Sequence, residues 1–385
     1  MSQKSILIMF HCEQNTGYAI GSLEKTFAAA ALHAGYSKEN TIWSYTKVYD
    51  SKKNTYEMGY YTNEDSRTFE SVCIEHGVET ILAFDMPYPT KVGRQAKKIG
   101  IRRVISYWGA SMSSINSGLK LLVKKLEWPF RSNAAPSHFI FESEAMRLTA
   151  TKGRGVPQNR TCVIPLGVDT EKYKPSPNSR YAHREFNIPF LRKILFFSGH
   201  MEERKGVRVL IEAMNELSEL NEIEPFHLLV CGNKGDESLP YEQIIRDENT
   251  RNHITFAGYR NDIPQLMNSS FVGIIASTGW DSFTMSSIEM MSSGLPLIVS
   301  NLQGLKETIS PNKTGLHIEP GDYKDLALKV IRYHRNEDTY REHSRQARER
   351  VLTHFSVEHQ IESLSQVLNT GTGAFPREPI ADLHA

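Results

Sequence analysis

The sequence predicts an α/β protein made of two doubly wound parallel sheets, and three observations carry that reading. Short apolar runs suited to buried strands alternate with stretches of helical period along the chain. Its 385 residues exceed one ordinary domain and suit two. A Pro175-Ser176-Pro177-Asn178-Ser179 segment without hydrophobic period separates two alternating halves. A first domain is therefore expected over residues 1–178 and a second over 186–355, followed by a helix at 356–369 and a flexible tail at 370–385.

In the first domain, residues 5–10 read as a buried strand. The opening MSQKSILIMFHC has too short an apolar run for a signal peptide. A polar loop from His11 to Gly21 then leads to a helix over 22–33, with Leu23, Phe27, Ala30 and Ala31 on one face. This strand, loop and helix is the opening of a doubly wound sheet, although the dinucleotide Gly-x-Gly-x-x-Gly fingerprint is absent. Further strands fall at 80–84, 103–107 and 138–141, with helical stretches such as 89–99 between them. In the second domain strands fall at 193–197, 227–231, 254–257, 273–276 and 297–299. Helices follow Gly206, begin near Phe283 and at 301–307, and close the chain over 338–354 and 357–368.

With 39% hydrophobic residues and only short apolar runs, the chain can bury two cores but contains no candidate membrane span. Cys12, Cys73, Cys162 and Cys231 have no paired spacing, so they read as buried thiols of a cytoplasmic protein rather than a zinc site or disulfide framework. Net charge is +1, but residues 1–185 hold 25 Lys and Arg against 17 Asp and Glu, and residues 186–385 hold 20 against 27. A basic first half favours an anionic partner or chance solvated faces. The segment 118–131, GLKLLVKKLEWPFR, can lie as an amphipathic helix on an anionic membrane, placing the protein at the inner face. It can equally bury its leucines in the domain.

The stretch 277–300, STGWDSFTMSSIEMMSSGLPLIVS, is the most informative. It reads as strand, polar loop, helix from about Phe283, a Gly294-Leu295-Pro296 break and a second strand. Asp281 and Glu289 stand eight apart, a spacing that returns to nearly one helical face. Between them the N–H groups around Phe283, Thr284 and Met285 form a helix N-terminus suited to a phosphate. Two carboxylates beside an anion site suit hydroxyl acceptors for a sugar and a ribose. An ordinary capped helix, with Asp281 as N-cap and Glu289 solvated, is the plainer alternative.

This stretch resembles the signature of retaining family 4 glycosyltransferases: Glu, seven residues, Glu, a Gly-x-Pro break and a strand. Here the first Glu is Asp281, preceded by Trp280. The resemblance implies the GT-B fold, two Rossmann-like domains facing a cleft, with acceptor on the first, nucleotide sugar on the second and the last helix crossing back. It covers nearly all of the second domain. In the first it rests on the strand order, the Gly17 loop and the run Pro165-Leu166-Gly167-Val168-Asp169.

In the loop Ser198-Gly199-His200-Met201-Glu202-Glu203-Arg204-Lys205-Gly206, a cation at Lys205 opposes the dipole of the following helix unless a diphosphate lies between them. The family clamps its diphosphate with an Arg early in this loop and the Lys before the Gly. Lys205 keeps the second; His200 stands at the first, with Arg204 nearby as a substitute. The resemblance assigns catalytic roles to Lys205, Asp281 and His200, and donor contacts to Gly17, Gly199, Arg204, Gly258, Tyr259, Arg260, Phe283, Thr284, Met285 and Glu289. Trp108 stands where many relatives have a His and, with Ser111, is the acceptor candidate; a packed core Trp is the simpler reading.

No Asp-x-Asp occurs, so no metal site is expected, and Lys205 with the helix N-terminus would supply the positive charge that a metal otherwise brings. The expected donor is a nucleoside diphosphate sugar, UDP before GDP, with no other cofactor. The expected acceptor is a sugar, glycan or lipid-linked saccharide, and no nucleic acid is expected. A nucleotide-sugar epimerase and a non-catalytic nucleotide- or glycan-binding protein share this donor site and stay open.

Overall fold

The computed structural model describes residues 4–50, 54–176 and 179–370; of the expected linker, residues 177 and 178, and of the expected tail, residues 371–385, lie outside them. The chain divides into two compact units, one of residues up to Pro165 together with those from Glu358, the other from Leu166 to Val357. Each is a parallel sheet with helices between its strands.

The first unit runs β1 (Ser5–Phe10), α1 (Gly17–His33), β2 (Thr41–Tyr45), β3 (Thr55–Glu57), α2 (Asn63–His76), β4 (Val78–Phe84), α3 (Lys91–Lys98), β5 (Arg103–Trp108), α4 (Gly118–Arg131), β6 (His138–Phe141), α5 (Glu144–Thr151) and β7 (Thr161–Val163). Its seven strands are ordered β3-β2-β1-β4-β5-β6-β7, all parallel. The second unit runs α6 (Tyr181–Glu185), β8 (Lys193–Ser198), α7 (Val207–Glu219), β9 (Phe226–Cys231), α8 (Leu239–Glu242), α9 (Glu248–Arg251), β10 (Ile254–Phe256), α10 (Ile263–Met267), β11 (Val272–Ile275), α11 (Met285–Ser292), β12 (Leu297–Ser300), β13 (Gly315–Ile318), α12 (Tyr323–Arg335) and α13 (Glu337–His354). Its order is β10-β9-β8-β11-β12-β13, again all parallel. The last helix, α14 (Val357–Thr370), belongs from Glu358 to the first unit, where Gln360 Nε2 donates to Tyr107 Oη at 3.1 Å and Arg103 Nη1 to the Leu368 carbonyl at 2.8 Å.

Both sheets reverse winding once, between β1 and β4 and between β8 and β11. Ligands of such sheets lie outside the carboxyl ends of the strands at that reversal. β8 and β11 pair directly, Val272 opposite Leu195 and Gly273 opposite Phe196, so the loops leaving them emerge side by side.

Several local expectations need correction. α1 begins at Gly17 rather than Ser22, because Asn15 (φ 65°) turns the chain and the Thr16 hydroxyl closes the turn on the Glu13 carbonyl. Gly17 and Gly21 are therefore helical. β2, β3 and β13 were not expected; β3 is only three residues long and incompletely buried, so its alternation is too brief to show. The segment 301–307 forms only a 3₁₀ turn, Leu305–Thr308.

The second unit also buries histidines as neutral groups. His227, with Nε2 2.8 Å from Thr255 Oγ1, is held down to about 3 by burial, then by Arg192, His253 and His183. Because its folded pKa lies below the unfolded value near 6.5, the unfolded chain takes up the proton first. The stabilisation is complete above pH 6.5 and lost as pH falls toward 3. Urea denaturation of the full chain from pH 7 to 4 should show stability falling in this window, and His227→Gln should reduce the slope by up to about 1.4 kcal/mol per pH unit. Equal slopes would contradict a neutral buried imidazole.

Candidate functional site

The loops after β8 and β11 are joined by two glycines. Gly206, at φ 79°, ends a 3₁₀ turn over Glu203–Lys205 that is closed by Lys205 N–H to the Glu202 carbonyl at 2.8 Å. A Cβ on Gly206 would sit 1.8 Å from the Ala276 carbonyl oxygen, so only glycine allows this approach. At Gly279 a Cβ would come within 2.8 Å of Arg204 Cβ, and Thr278 N–H donates to the Arg204 carbonyl at 2.8 Å.

Backbone contact of this kind brings Lys205 onto Asp281, 76 residues away. Lys205 Nζ lies 3.0 and 3.1 Å from the two Asp281 oxygens. Ser277 Oγ donates to Asp281 Oδ2 at 2.7 Å and Ser282 N–H to Oδ1 at 3.2 Å. Asp281 is 4% exposed, so its carboxylate is compensated by the ammonium and by these two donors. Arg204 stands beside the pair, Nη1 4.0 Å from Asp281 Oδ1, but its hydrogen bonds go to the Trp280 carbonyl (2.9 Å) and Glu202 (2.7 Å).

α11 starts at Met285 rather than Phe283, which places Glu289 about one turn into the helix instead of two. Its N-cap, Thr284, makes no capping hydrogen bond; the Thr284 hydroxyl donates instead to Ser287 Oγ at 2.9 Å. The first-turn N–H groups have no partner within the helix, so the uncapped end is an electropositive mouth. Ser286 Oγ donates to the Ser198 carbonyl at 2.9 Å, tying this mouth to the end of β8. Phe283 is buried edge-on against Phe355, with ring centroids 5.0 Å apart, and anchors the loop. Glu289 is 5% exposed, which excludes the solvated face of the plain capped helix. Asp281 is not the N-cap either.

The other expected donor residues are distributed along the same sheet edge. Gly199 N–H donates to the Cys231 carbonyl at 3.1 Å, and Gly232 N–H to the Gly258 carbonyl at 2.8 Å. Asn233 Oδ1 accepts Gly258 N–H at 2.9 Å, so Gly258 has both backbone groups committed within the fold. Tyr259 is 62% exposed with Lys234 Nζ 5.3 Å above its ring. Arg260 is held by Asp262 (2.8 Å), Glu185 (2.9 Å) and the Phe186 ring, and these carboxylates raise its pKa. Its charge is matched locally. His200 is exposed in the β8 loop and makes no hydrogen bond among the described residues.

In the first unit Gly17, at φ 76°, opens α1. Trp108 is buried against Tyr88, Met112 and Trp128, as the simpler reading expects, and Ser111 is exposed. Sequence reasoning missed two acids at the carboxyl ends of β4 and β6. Asp85 Oδ1 accepts Gly109 N–H at 2.9 Å and burial pushes it up to about 6; Glu142, 4% exposed, is pushed well up by burial and then by Asp85. In the second unit Ser277, Asn233 and Lys234 were also missed. Ser277 alone had a signal, its place four residues before Asp281.

Residues 180–350 match the glycosyl transferases group 1 family. Over 247 residues the chain is 23% identical to mannosylfructose-phosphate synthase of Agrobacterium fabrum, covering 60% of this chain and 54% of that one. The chain spans about half the length of the curated relatives it matches. Its two parallel-sheet α/β domains resemble those of GT-B glycosyltransferases: the chain is similar in fold to a Rickettsia africae glycosyltransferase (TM-score 0.78, 18% identity, 95% and 99% of the two chains) and to Anabaena HepE in complex with UDP (0.73, 17%, 95% and 100%).

Gly206→Ala should lower stability by about 1–3 kcal/mol and abolish nucleotide binding in calorimetry, since the added carbon meets backbone. Gly21→Ala, mid-helix with nothing within 4 Å, should instead raise stability by about 0.5–1 kcal/mol in the same denaturation assay.

Proposed function

We propose that this chain is a retaining glycosyltransferase that moves a hexosyl group from a nucleoside diphosphate sugar, UDP before GDP, to an acceptor in polysaccharide or glycoconjugate synthesis. The observation that carries the reading is Lys205, fixed by Asp281 and held by a loop tied to the uncapped N-terminus of α11. The match of residues 180–350 to the group 1 family supports it, as does a fold similar to that of a protein in complex with UDP.

In the transfer, the bond from the sugar anomeric carbon to the β-phosphate oxygen breaks and its electron pair stays on the departing diphosphate. Lys205 and the first-turn amides of α11 stabilise that charge as fixed positive ends, with no divalent ion. The acceptor hydroxyl attacks on the same face and gives its proton to the leaving phosphate, so the anomeric configuration is retained. Glu289, buried and set back in α11, accepts the ribose hydroxyls. Asp281 has both oxygens occupied by Lys205, Ser277 and Ser282. Its role here is to position the ammonium, and it does not grip the donor sugar. Freeing the carboxylate for a sugar hydroxyl would leave a half-buried cation unpaired.

Lys205→Ala and Glu289→Ala should each reduce transfer at least ~10²-fold, about 2.7 kcal/mol, in an assay of UDP release with a panel of saccharide acceptors. EDTA should leave the rate unchanged, and proton NMR should show the product with the donor's anomeric configuration. An epimerised donor without transfer would establish the isomerase reading, binding without turnover the non-catalytic one, and an inverted product would remove the same-face mechanism.

A further inference from the structure

Substrates of a doubly wound sheet approach the carboxyl ends of its strands, so the amino ends have no part in the reaction. In the first unit that opposite edge is nonetheless concave and charged. A cavity of about 270 Å³ opens there, lined by Lys4, Glu79, Thr80, Arg102, Arg103 and Ser137. These residues stand at the amino ends of β1, β4, β5 and β6, which are neighbours in the sheet. Pairing brings them together: Thr80 lies opposite Arg103, and Ser137 N–H donates to the Val104 carbonyl at 2.7 Å. A bulge sets the carboxylate. Ser5 pairs with Val78 but Ile6 with Thr80, so Glu79 is one residue more than β1 can match. It is exposed, between the buried Val78 and Thr80.

The polar groups of the cavity fall into two sets. Thr80 Oγ1 accepts the Tyr36 hydroxyl at 2.9 Å and Ser137 Oγ donates to the Val104 carbonyl at 2.8 Å, so both hydroxyls are committed within the fold. The charged groups are not. Arg103, half-buried, makes one hydrogen bond, Nη1 to the Leu368 carbonyl at 2.8 Å; Lys4, Arg102 and Glu79 make none among the described residues, and no ion pair there joins the three cations to a carboxylate. Elsewhere Arg147, Arg260 and Arg345 each hold a carboxylate. Three uncompensated cations around a concavity repel one another and concentrate an anion between them. Two guanidinium forks suit phosphate oxygens, and Glu79 can accept a hydroxyl. The volume lies just below the roughly 300–1,000 Å³ of pockets for drug-sized ligands, which fits a small molecule and not a nucleoside diphosphate sugar.

We propose that this cavity binds a small phosphate monoester of a polyol, its phosphate on Lys4, Arg102 and Arg103 and a hydroxyl on Glu79. At the edge of the sheet away from the reaction, the ligand is sensed and not transformed. The inference stands on the first unit alone and uses no residue of the donor site. Calorimetric titration of the full chain with UDP in excess, so that the donor site is filled, tests it with glucose 6-phosphate and inorganic phosphate as separate probes. The wild-type chain binds one glucose 6-phosphate and prefers it several-fold to inorganic phosphate. Lys4→Ser with Arg102→Ser, both exposed, weakens binding of either probe at least ~10-fold with unchanged circular dichroism, the scale of losing one hydrogen bond to a charged group. Glu79→Ala removes both the hydroxyl acceptor and a repulsive charge, so inorganic phosphate binds more tightly and the preference for glucose 6-phosphate is lost. Absence of glucose 6-phosphate binding to the wild-type chain, equal binding by the double variant, or a preference that survives Glu79→Ala overturns the proposal.

Discussion

The bond between the Lys205 ammonium and the Asp281 carboxylate is the constraint on which the second unit's site depends. Neither residue is placed by its own secondary structure. Lys205 ends a single 3₁₀ turn and Asp281 sits in an irregular loop. They meet because β8 and β11 are adjacent strands across the reversal of winding, and because Gly206 and Gly279 let the two loops touch through backbone. A lysine has a flexible four-carbon stem and loses much rotamer freedom when fixed. Here a carboxylate that is itself held by Ser277 and Ser282 supplies the restraint.

Electrostatics give that restraint a direction. A lysine close to the start of a helix adds positive charge to an end that is already positive. Among the described residues of the loop, Asp281 offsets this, and Arg204 is diverted to Glu202 and the Trp280 carbonyl. In the transfer proposed above, the fixed ammonium and the first-turn amides of α11 would need little reorganisation to receive a dianionic diphosphate. Arg260 is the contrasting case, since its two carboxylate partners and the Phe186 ring make it a structural tie between α6 and the loop after β10.

The architecture was legible because buried parallel strands read as continuous apolar runs; the six residues of β1 and of β9 are each wholly buried. The spacing of Asp281 and Glu289 likewise marked the stretch that holds the site. Sequence spacing could not reveal that Asp281 faces a lysine from another loop, since that contact rests on Gly206 meeting the Ala276 carbonyl and Gly279 meeting the Arg204 side chain, each 70 or more residues away. The start of α1 was misplaced because a left-handed Asn15 with Gly17 two residues on looks like loop chemistry while here it opens a helix. For α4 the amphipathic pattern was plain, but a pattern of period 3.6 identifies a stripe and not the side of the molecule it faces. Gly155, where a Cβ would come within 2.5 Å of the Lys124 carbonyl oxygen, and the buried Trp128 set the helix on the first unit with Leu119, Leu122, Leu126 and Phe130 exposed.

The most direct test of this account is the position of a bound nucleotide, found by determining the structure of the chain with UDP in the presence of EDTA. The account predicts the β-phosphate within hydrogen-bonding distance of Lys205 Nζ and of the first-turn amides of α11, with Asp281 still on Lys205. A diphosphate bound away from both, or one that appears only when magnesium or manganese is supplied, would contradict it.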